Sequence, residues 1–427
     1  DVRQYWFLEH TPELSLKRRE DYVDAFREVF DEAVRARLRT FTAKNVAGAG
    51  GVAVTLSGGL DSGAVTATAA RLLRTDGQRL AAFTSVPLPD TGNYVGSHLG
   101  DELPFAQATA QFAGNVDLHT ITAASITPIQ AIRRMLEILH EPAHAAGNFF
   151  WIFELEETVQ ALGFRTLLTG QVGNAGISWT GDVFSQSLAF QLRYLGWLTW
   201  AKVMAKRHAP IVLLNSYRRA RRSRGGWCKL SAIQPDFALR LNVLERRWND
   251  ADEQTPRAPH AQRIQFLQPG RSFVGALHAQ MGAAQGLEIR DPTADARVLA
   301  FTFSVPDPVF MDPETGLDRW LIRAAMKDRL PDAVRLNRKH GLQAGDLVPR
   351  LRASASEVEM ALTELARGSA VEYVDVPYMR RVWQMIQKQD TPDAFHKSVT
   401  ILTRGIMAGL FVNQLATGKP TAAKQLK

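Results

Sequence analysis

Apolar residues recur at helical spacing over residues 15–40, with charged residues at the positions between them. That spacing predicts an amphipathic helix with one buried face. After Gly50 and Gly51, residues 52–56 (VAVTL) have the length and composition of a strand that is buried on both faces. A short glycine turn separates this strand from residues 63–73, which are rich in Ala and Leu and predict a second helix.

The same alternation of strand and helix patterns continues downstream. Further strands are predicted at 80–86, 117–122 and 164–169, and further helices at 101–112, 128–139 and 149–162. This alternation favours right-handed crossovers and a parallel sheet covered by helices on both faces. The sequence therefore predicts an α/β fold with a doubly wound parallel sheet of about five strands.

The expected organisation is one domain over residues 1–427. Its α/β core is predicted at about 45–182, and a large, mainly helical C-terminal elaboration at about 183–427. The chain has 45% hydrophobic and 22% charged residues, which is ample material for a core and argues against intrinsic disorder.

The only cysteine, Cys228, cannot form an internal disulfide, and sites built from several thiolates are excluded. A reducing, cytoplasmic setting is therefore expected. No uninterrupted run of about 18 apolar residues occurs, so no membrane-spanning helix is predicted.

The formal net charge of +8 favours anionic partners such as nucleotides or acidic peptides. Five arginines cluster at 218–224, after an aromatic-rich stretch that contains Trp197 and Trp200. This region could grip a peptide, or it could be a solvated basic helix beside core tryptophans. No nucleic-acid recognition module accompanies it, so nucleic acid is not an expected partner.

The segment with the most specific chemistry follows the first predicted strand and reads Ser57-Gly58-Gly59-Leu60-Asp61-Ser62. Adjacent glycines allow a tight turn and present backbone N–H groups to phosphate oxygens, while the next helix points its positive end at the same place. The serines add hydroxyl donors, and Asp61 offers a hard oxygen for Mg²⁺. The segment lacks the lysine and spacing of a Walker A motif, so it predicts a different phosphate-binding loop.

This hexapeptide resembles the diphosphate-binding loop of the asparagine synthetase family, whose synthetase half is an ATP pyrophosphatase of the PP-loop type. Further resemblance lies, in family order, in Tyr5-Trp6, Asp101-Glu102, residues 167–171 (LLTGQ), 287–292 (LEIRDP), Leu330-Pro331 and 338–341 (RKHG). The resemblance implies ATP and Mg²⁺ as cofactors. It also implies that a carboxylate attacks the α-phosphate of ATP, and that an amine then displaces AMP from the acyl-adenylate.

The resemblance also implies roles for individual residues. Leu56, Ser57, Gly58, Gly59, Leu60, Asp61 and Ser62 would hold the nucleotide phosphates, and Phe83, Thr84 and Gly170 would complete the cofactor site. Asp61 would act in catalysis and, with Asn174, bind the metal. Gln171 would border the acyl pocket, and Lys339 would stabilise negative charge during adenylation.

The chain departs from the family pattern at the loop after the fourth predicted strand. Family members usually continue with an Asp-Glu pair, whereas this chain has Asn174 and Ala175. Each lost negative charge weakens cation binding. The metal site could rely on Asp61 and the phosphates, Asp182 could contribute, or the chain could be inactive.

By this resemblance, we expect the sequence to begin at the linker into the synthetase half, without an N-terminal glutaminase domain and its catalytic cysteine. Its nitrogen source could be ammonia, a partner that supplies ammonia, or an amine of the substrate.

The segments 170–179, 319–323 and 337–343 resemble those of lasso-peptide cyclases, which join an Asp or Glu side chain of a precursor peptide to the N-terminal amine of that peptide. We expect such a macrolactam cyclase, with a precursor peptide and its protease and recognition proteins as partners. An asparagine synthetase is the first alternative, and an inactive peptide-binding scaffold is the second.

Overall fold

The computed structural model describes residues 7–39, 51–88, 91–210, 230–243, 259–267 and 274–418, together with residues 213, 216, 246 and 272. Tyr5-Trp6, the arginine cluster at 218–224 and Cys228 lie outside the described residues.

A parallel five-stranded sheet forms the centre of the molecule, in the order β3-β2-β1-β4-β5. The strands are β1 Val52–Thr55, β2 Leu80–Ser85, β3 Val116–Ile121, β4 Thr166–Leu168 and β5 Glu288–Arg290. The predicted doubly wound α/β fold is thus confirmed. The fifth strand, however, comes from the part of the chain that the sequence patterns assign to helices. It was missed because Glu288 and Arg290 are charged, whereas β4, of the same length, is a fully buried run.

Six helices accompany strands β1 to β4. They are α1 Arg19–Arg37, α2 Leu60–Arg74, α3 Gly92–Val95, α4 Leu103–Ala113, α5 Pro128–Leu139 and α6 Phe149–Ala161. Helix α5 shows how local sequence sets such boundaries. Thr127 caps its first turn, accepting from the Gln130 N–H, and the Gln130 side chain accepts from the Thr127 N–H. His140 ends the helix in the left-handed conformation.

The two faces of the sheet are covered by different helices, because successive strand side chains alternate between faces. Val54 and Ala82 pack with α1, α2 and α4 in one cluster. Ala53 and Phe83 belong to a second cluster with residues of α6. Burial on both sides explains why β1 and β2 read as continuous apolar runs.

The C-terminal part is mainly helical and has its own core. Its helices span Leu188–Leu195, Trp197–His208, Pro235–Arg240, Pro259–Leu267, Val274–Gln285, Ala296–Ser304, Trp320–Ala325, Asp332–Arg335, Leu347–Ala353, Ala355–Arg367, Val376–Ile386, Pro392–Lys397 and Arg404–Thr417, the last two being joined by a π-helical segment at Ser398–Thr403. Trp383, Ile401 and Leu410 are buried there together with Ile132 and Phe153 of α5 and α6. The helical part is therefore packed on the sheet domain through these two helices.

One helical segment, Pro392–Thr417, is long and apolar enough to cross a bilayer by length and composition alone, with a mean hydropathy of 1.3 over its most apolar window. Of that window, 44% is buried inside the protein. Ile401, Ile406 and Leu410 of this segment contribute to the helical core. Glycine and polar residues interrupt the apolar residues of this segment, so the sequence pattern alone did not predict it as a membrane-spanning helix.

A buried ion pair joins the helical part to the ends of two strands. The Arg350 guanidinium donates to the Asp346 carboxylate (2.7 Å) and to the carbonyl oxygens of Thr122 and Ala123, which follow β3. Asp346 also accepts a hydrogen bond from the backbone N–H of Leu88, beyond β2. A buried pair of this kind orients the two parts, because either charge alone would be costly to bury.

We expect Arg350→Ala to lower the free energy of unfolding by about 3–5 kcal/mol, because Asp346 would stay buried without its partner. Urea titration followed by circular dichroism measures the change. Arg133→Ala is the matched control, because the ion pair of Arg133 with Glu364 is largely exposed. Equal urea midpoints for Arg350→Ala and Arg133→Ala would contradict the interpretation that the buried Arg350–Asp346 pair stabilises the fold.

Candidate active site

The phosphate-binding loop joins β1 to α2 and is shorter than the sequence pattern indicates. Helix α2 begins at Leu60, so Leu60, Asp61 and Ser62 form its first turn, and Gly59 is the N-cap. The first backbone N–H groups of a helix have no partner within it, and the helix dipole makes this end attractive to anions. The first turn of α2 therefore fits a phosphate group.

The two loop glycines are required by close packing and not by left-handed backbone. Gly59 has an extended conformation, and neither glycine is among the positive-φ residues. A Cβ on Gly58 would lie 3.0 Å from the Cβ of Phe105, and a Cβ on Gly59 would lie 3.1 Å from the Ser57 hydroxyl. The absence of side chains thus lets the loop approach α4 closely.

Several backbone N–H groups and both serine hydroxyls of this loop are hydrogen-bonded to side chains of the protein. The Ser57 and Ser62 hydroxyls are hydrogen-bonded to each other at 2.9 Å. They also accept hydrogen bonds from the backbone N–H groups of Gly59 and Ser57, respectively. The Gly58 N–H donates to the Glu102 carboxylate. The serines therefore shape the loop in addition to any contact with phosphate.

Asp61 is the central charged residue of the site. Its Oδ1 is buried and has no hydrogen-bond partner among the described residues, although the residue as a whole is partly exposed. Burial raises the pKa of Asp61 to about 6, whereas the Ser178 hydrogen bond and the positive charge of Arg319 lower this pKa. A buried, unpartnered carboxylate oxygen is a suitable ligand for a divalent cation.

The loop after β4 closes over Asp61. A Cβ on Gly173 would lie 2.3 Å from the Asp61 Cγ, and a Cβ on Gly170 would lie 2.9 Å from the Asp61 backbone. The Asp291 carboxylate accepts from the Val172 N–H at 2.9 Å and fixes this loop to the end of β5. The glycines are therefore needed for the contact between the two loops.

Asn174 joins this group through Ser178, whose hydroxyl lies 3.4 Å from the Asn174 Oδ1. Asp182 does not join it. The Asp182 carboxylate caps residues 183–185 by accepting from the Phe184 N–H and also pairs with Arg207. No group of three or more His, Cys, Asp or Glu side chains in the described part of the chain could hold a metal. Mg²⁺ would therefore depend on Asp61, Asn174 and the phosphates.

Three residues expected at the nucleotide have buried side chains. Leu56, Phe83 and Thr84 are all within the interior, and the Phe83 ring stacks on His119. The Phe83 carbonyl oxygen accepts from the Leu56 N–H at 2.8 Å. The place of these residues in the nucleotide site stays a prediction. Because the strands are covered on both faces, such a contact would involve main-chain atoms at the strand ends and not these three side chains.

Lys339 is exposed, on a loop that packs beside the phosphate-binding loop. Its backbone N–H donates to the Asn337 side chain. A Cβ on Gly341 would lie 2.3 Å from the Glu102 carboxylate carbon, and this carboxylate also accepts from Gly58. Glu102 therefore connects the lysine loop to the phosphate-binding loop.

Two residues near the site were given no role by sequence reasoning. Arg319 has a left-handed backbone (φ 56°), a buried Nε without a partner among the described residues, and an electrostatic effect on Asp61. His278 lies in the helix Val274–Gln285, with its Nε2 2.8 Å from the Gln171 Oε1. Neither could be found by local spacing, because each lies more than 100 positions along the chain from its partner.

A family model described as asparagine synthase matches residues 25–411 of the chain. That range contains all five strands and the whole of the site described above. Among curated proteins, none matches the chain.

We expect Asp61→Asn to stabilise the ligand-free protein at pH 8 while abolishing activity. Since burial raises the pKa of Asp61 to about 6, ionising this group costs free energy, and the stability of the wild type falls as pH rises from about 4 through 6. The neutral amide avoids this cost, so the advantage of the variant should disappear near pH 4. Thermal melting across this pH range measures it.

Asp24→Asn is the control for that measurement, because the Asp24 side chain is largely exposed. It should melt like the wild type throughout. An Asp61→Asn protein that melts below the wild type at pH 8 would contradict the assigned burial of the charge.

Proposed function

The chain belongs to the asparagine synthase family, and on that premise we propose that it is an ATP- and Mg²⁺-dependent amide ligase that releases AMP and pyrophosphate. The carboxylate of an Asp- or Glu-type substrate would attack the α-phosphate of ATP, giving an acyl-adenylate. An amine would then attack the acyl carbon, and AMP would leave. A free carboxylate is a poor electrophile, and adenylation supplies its leaving group.

The observation that carries this proposal is the buried Oδ1 of Asp61, which has no hydrogen-bond partner among the described residues and lies in the first turn of α2, beside the positive charge of Arg319. Helix dipole, cation ligand and guanidinium together suit the negative charge of a diphosphate. Mg²⁺, when bound by Asp61 and Asn174, would neutralise phosphate charge. Catalysis of this kind is mostly positioning and charge stabilisation.

We propose that the physiological substrate is a peptide and that the product is a macrolactam. Three features support a peptide as the substrate. The first is the resemblance of segments 170–179, 319–323 and 337–343 to lasso-peptide cyclases. The others are the presence of Asn174 where family members usually have Asp, and a cavity. The cavity has a volume of about 1240 Å³ and is lined by Val172, His278 and Asp291 beside the loop after β4. Ammonia would need far less room than a peptide amine. The precursor peptide would then be delivered by its protease and recognition proteins, in the cytoplasm.

The proposal is tested by incubating the protein with ATP and Mg²⁺ and one of two substrates. One is a peptide with a free N-terminal amine and an internal Glu, and the other is free aspartate with ammonia. Pyrophosphate release that depends on the peptide, with loss of one water from the peptide mass, is the expected result. Conversion of aspartate to asparagine would favour the asparagine synthetase. No pyrophosphate release with either substrate would indicate a peptide-binding scaffold.

We expect Lys339→Ala to reduce the rate of pyrophosphate release by about 100- to 1000-fold, with a smaller effect on ATP affinity. The exposed ammonium group on the loop beside Gly341 would meet the negative charge that develops at the α-phosphate. Lys327→Ala is the control, because Lys327 is equally exposed but lies outside this loop. Full activity of the Lys339→Ala enzyme would remove this lysine from the mechanism.

A further inference from the structure

His278 occupies a boundary between the cavity and the loop after β4. Its ring lines the cavity of about 1240 Å³. Its Nε2 lies 2.8 Å from the Oε1 of Gln171, an exposed side chain one residue after Gly170. Gly170 in turn packs against the Asp61 backbone. The imidazole is thus one hydrogen bond from the loop that covers the metal-binding carboxylate.

We propose that His278 is the general base of the amide-forming step and accepts the proton that the attacking amine loses. This role rests on the proposed ligase function and adds to it a catalytic residue that the hexapeptide and lysine motifs do not contain. His278 lines the cavity through which the amine would enter, and Gln171 is its hydrogen-bond partner on the loop after β4.

The hydrogen bond to Gln171 determines which ring nitrogen can take a proton. An amide oxygen only accepts hydrogen bonds, so the neutral His278 ring carries its hydrogen on Nε2 and donates it to Oε1. The lone pair therefore remains on Nδ1. Burial lowers the pKa of His278, and the nearby Asp291 charge raises this pKa by less. The ring is consequently neutral at physiological pH and able to accept a proton.

The other ionisable groups around this position are already engaged. Both carboxylate oxygens of Asp291 accept hydrogen bonds, one from Val172 and the other from Thr293. Arg290 and Arg37 line the same cavity and pair with Glu288 and Asp295, and Arg39 also lines it as a cation. Guanidinium groups do not accept protons, and the amide of Gln171 does not ionise. Among the described residues that line the cavity, His278 is the proton acceptor that remains.

The step balances with one proton transferred. The nitrogen lone pair of the unprotonated amine forms the C–N bond at the acyl carbon of the adenylate. The C–O bond to the phosphate then breaks, and AMP leaves with its electron pair. The extra proton on nitrogen passes to Nδ1 of His278, which becomes an imidazolium and returns the proton to solvent. No oxidant, reductant or further reactant is needed.

The test separates the two half-reactions in His278→Ala and His278→Gln proteins. Glutamine can still donate to the Gln171 Oε1 but cannot take a proton, so it separates catalysis from positioning. The substrate is a peptide with a free N-terminal amine and an internal Glu. Adenylation is followed as pyrophosphate release in the presence of hydroxylamine, which is unprotonated at neutral pH and traps the adenylate as a hydroxamate. Amide formation is followed by mass spectrometry without hydroxylamine.

Both variants should keep adenylation and hydroxamate formation within about twofold of the wild type. Amide formation should fall by about 100-fold or more, which is the usual contribution of a general base. In the wild type, the rate of amide formation should decline as pH falls through the pKa of His278, which lies below the ordinary histidine pKa. Both variants should lack this decline in their pH–rate profiles. His396→Ala, a change at an exposed histidine of the helical part, should resemble the wild type.

Each of the other possible results would contradict a different part of the proposal. Amide formation near the wild-type rate in His278→Gln would remove the role as base. Equal loss of both half-reactions would make His278 a structural residue while leaving the ligase function intact. The absence of pyrophosphate and hydroxamate from the wild type, with this peptide and with free aspartate, would reject the ligase function itself.

Discussion

The site is organised around one buried negative charge. The Asp61 carboxylate extends from the first turn of α2 against the loop after β4, and its buried Oδ1 has no partner in the described part of the protein. Such a charge is unfavourable in the ligand-free chain, as the raised pKa of Asp61 indicates. Gly170 and Gly173 are needed because any side chain at either position would collide with Asp61. Binding of the proposed Mg²⁺ and phosphate groups at Asp61 would offset this cost in stability.

Glu102 extends this arrangement to the second loop of the site. Its carboxylate accepts from the Gly58 N–H and packs against the backbone of Gly341. The phosphate-binding loop and the loop of Lys339 thus share one acidic side chain, although they are nearly 280 residues apart in sequence. The Arg350–Asp346 pair holds the helical part against the ends of β2 and β3, so both loops are supported by the same rigid packing.

Much of the fold could be predicted from the sequence because the relevant forces are local. Helices α1 and α5 are defined by apolar periodicity, and the cap at Thr127 marks the start of α5. Strand β5 was not predicted because two of its three residues are charged, whereas β4, of the same length, is a fully buried run. The burial of the Leu56, Phe83 and Thr84 side chains could not be predicted for another reason. Closeness to the sheet edge does not determine which way a strand side chain points, and covering both faces buried all three.

The sequence by itself determined the alternation of strands and helices, the glycine-rich loop before α2 and the family resemblance. Each of these depends on short segments of consecutive residues. Only the tertiary structure decided that the Asp61 Oδ1 is buried, that Asp182 pairs with Arg207 away from Asp61, and that His278 contacts Gln171. The physical reason is the parallel sheet. Its strands are ordered by crossovers, and their carboxyl ends bring together loops from distant parts of the chain.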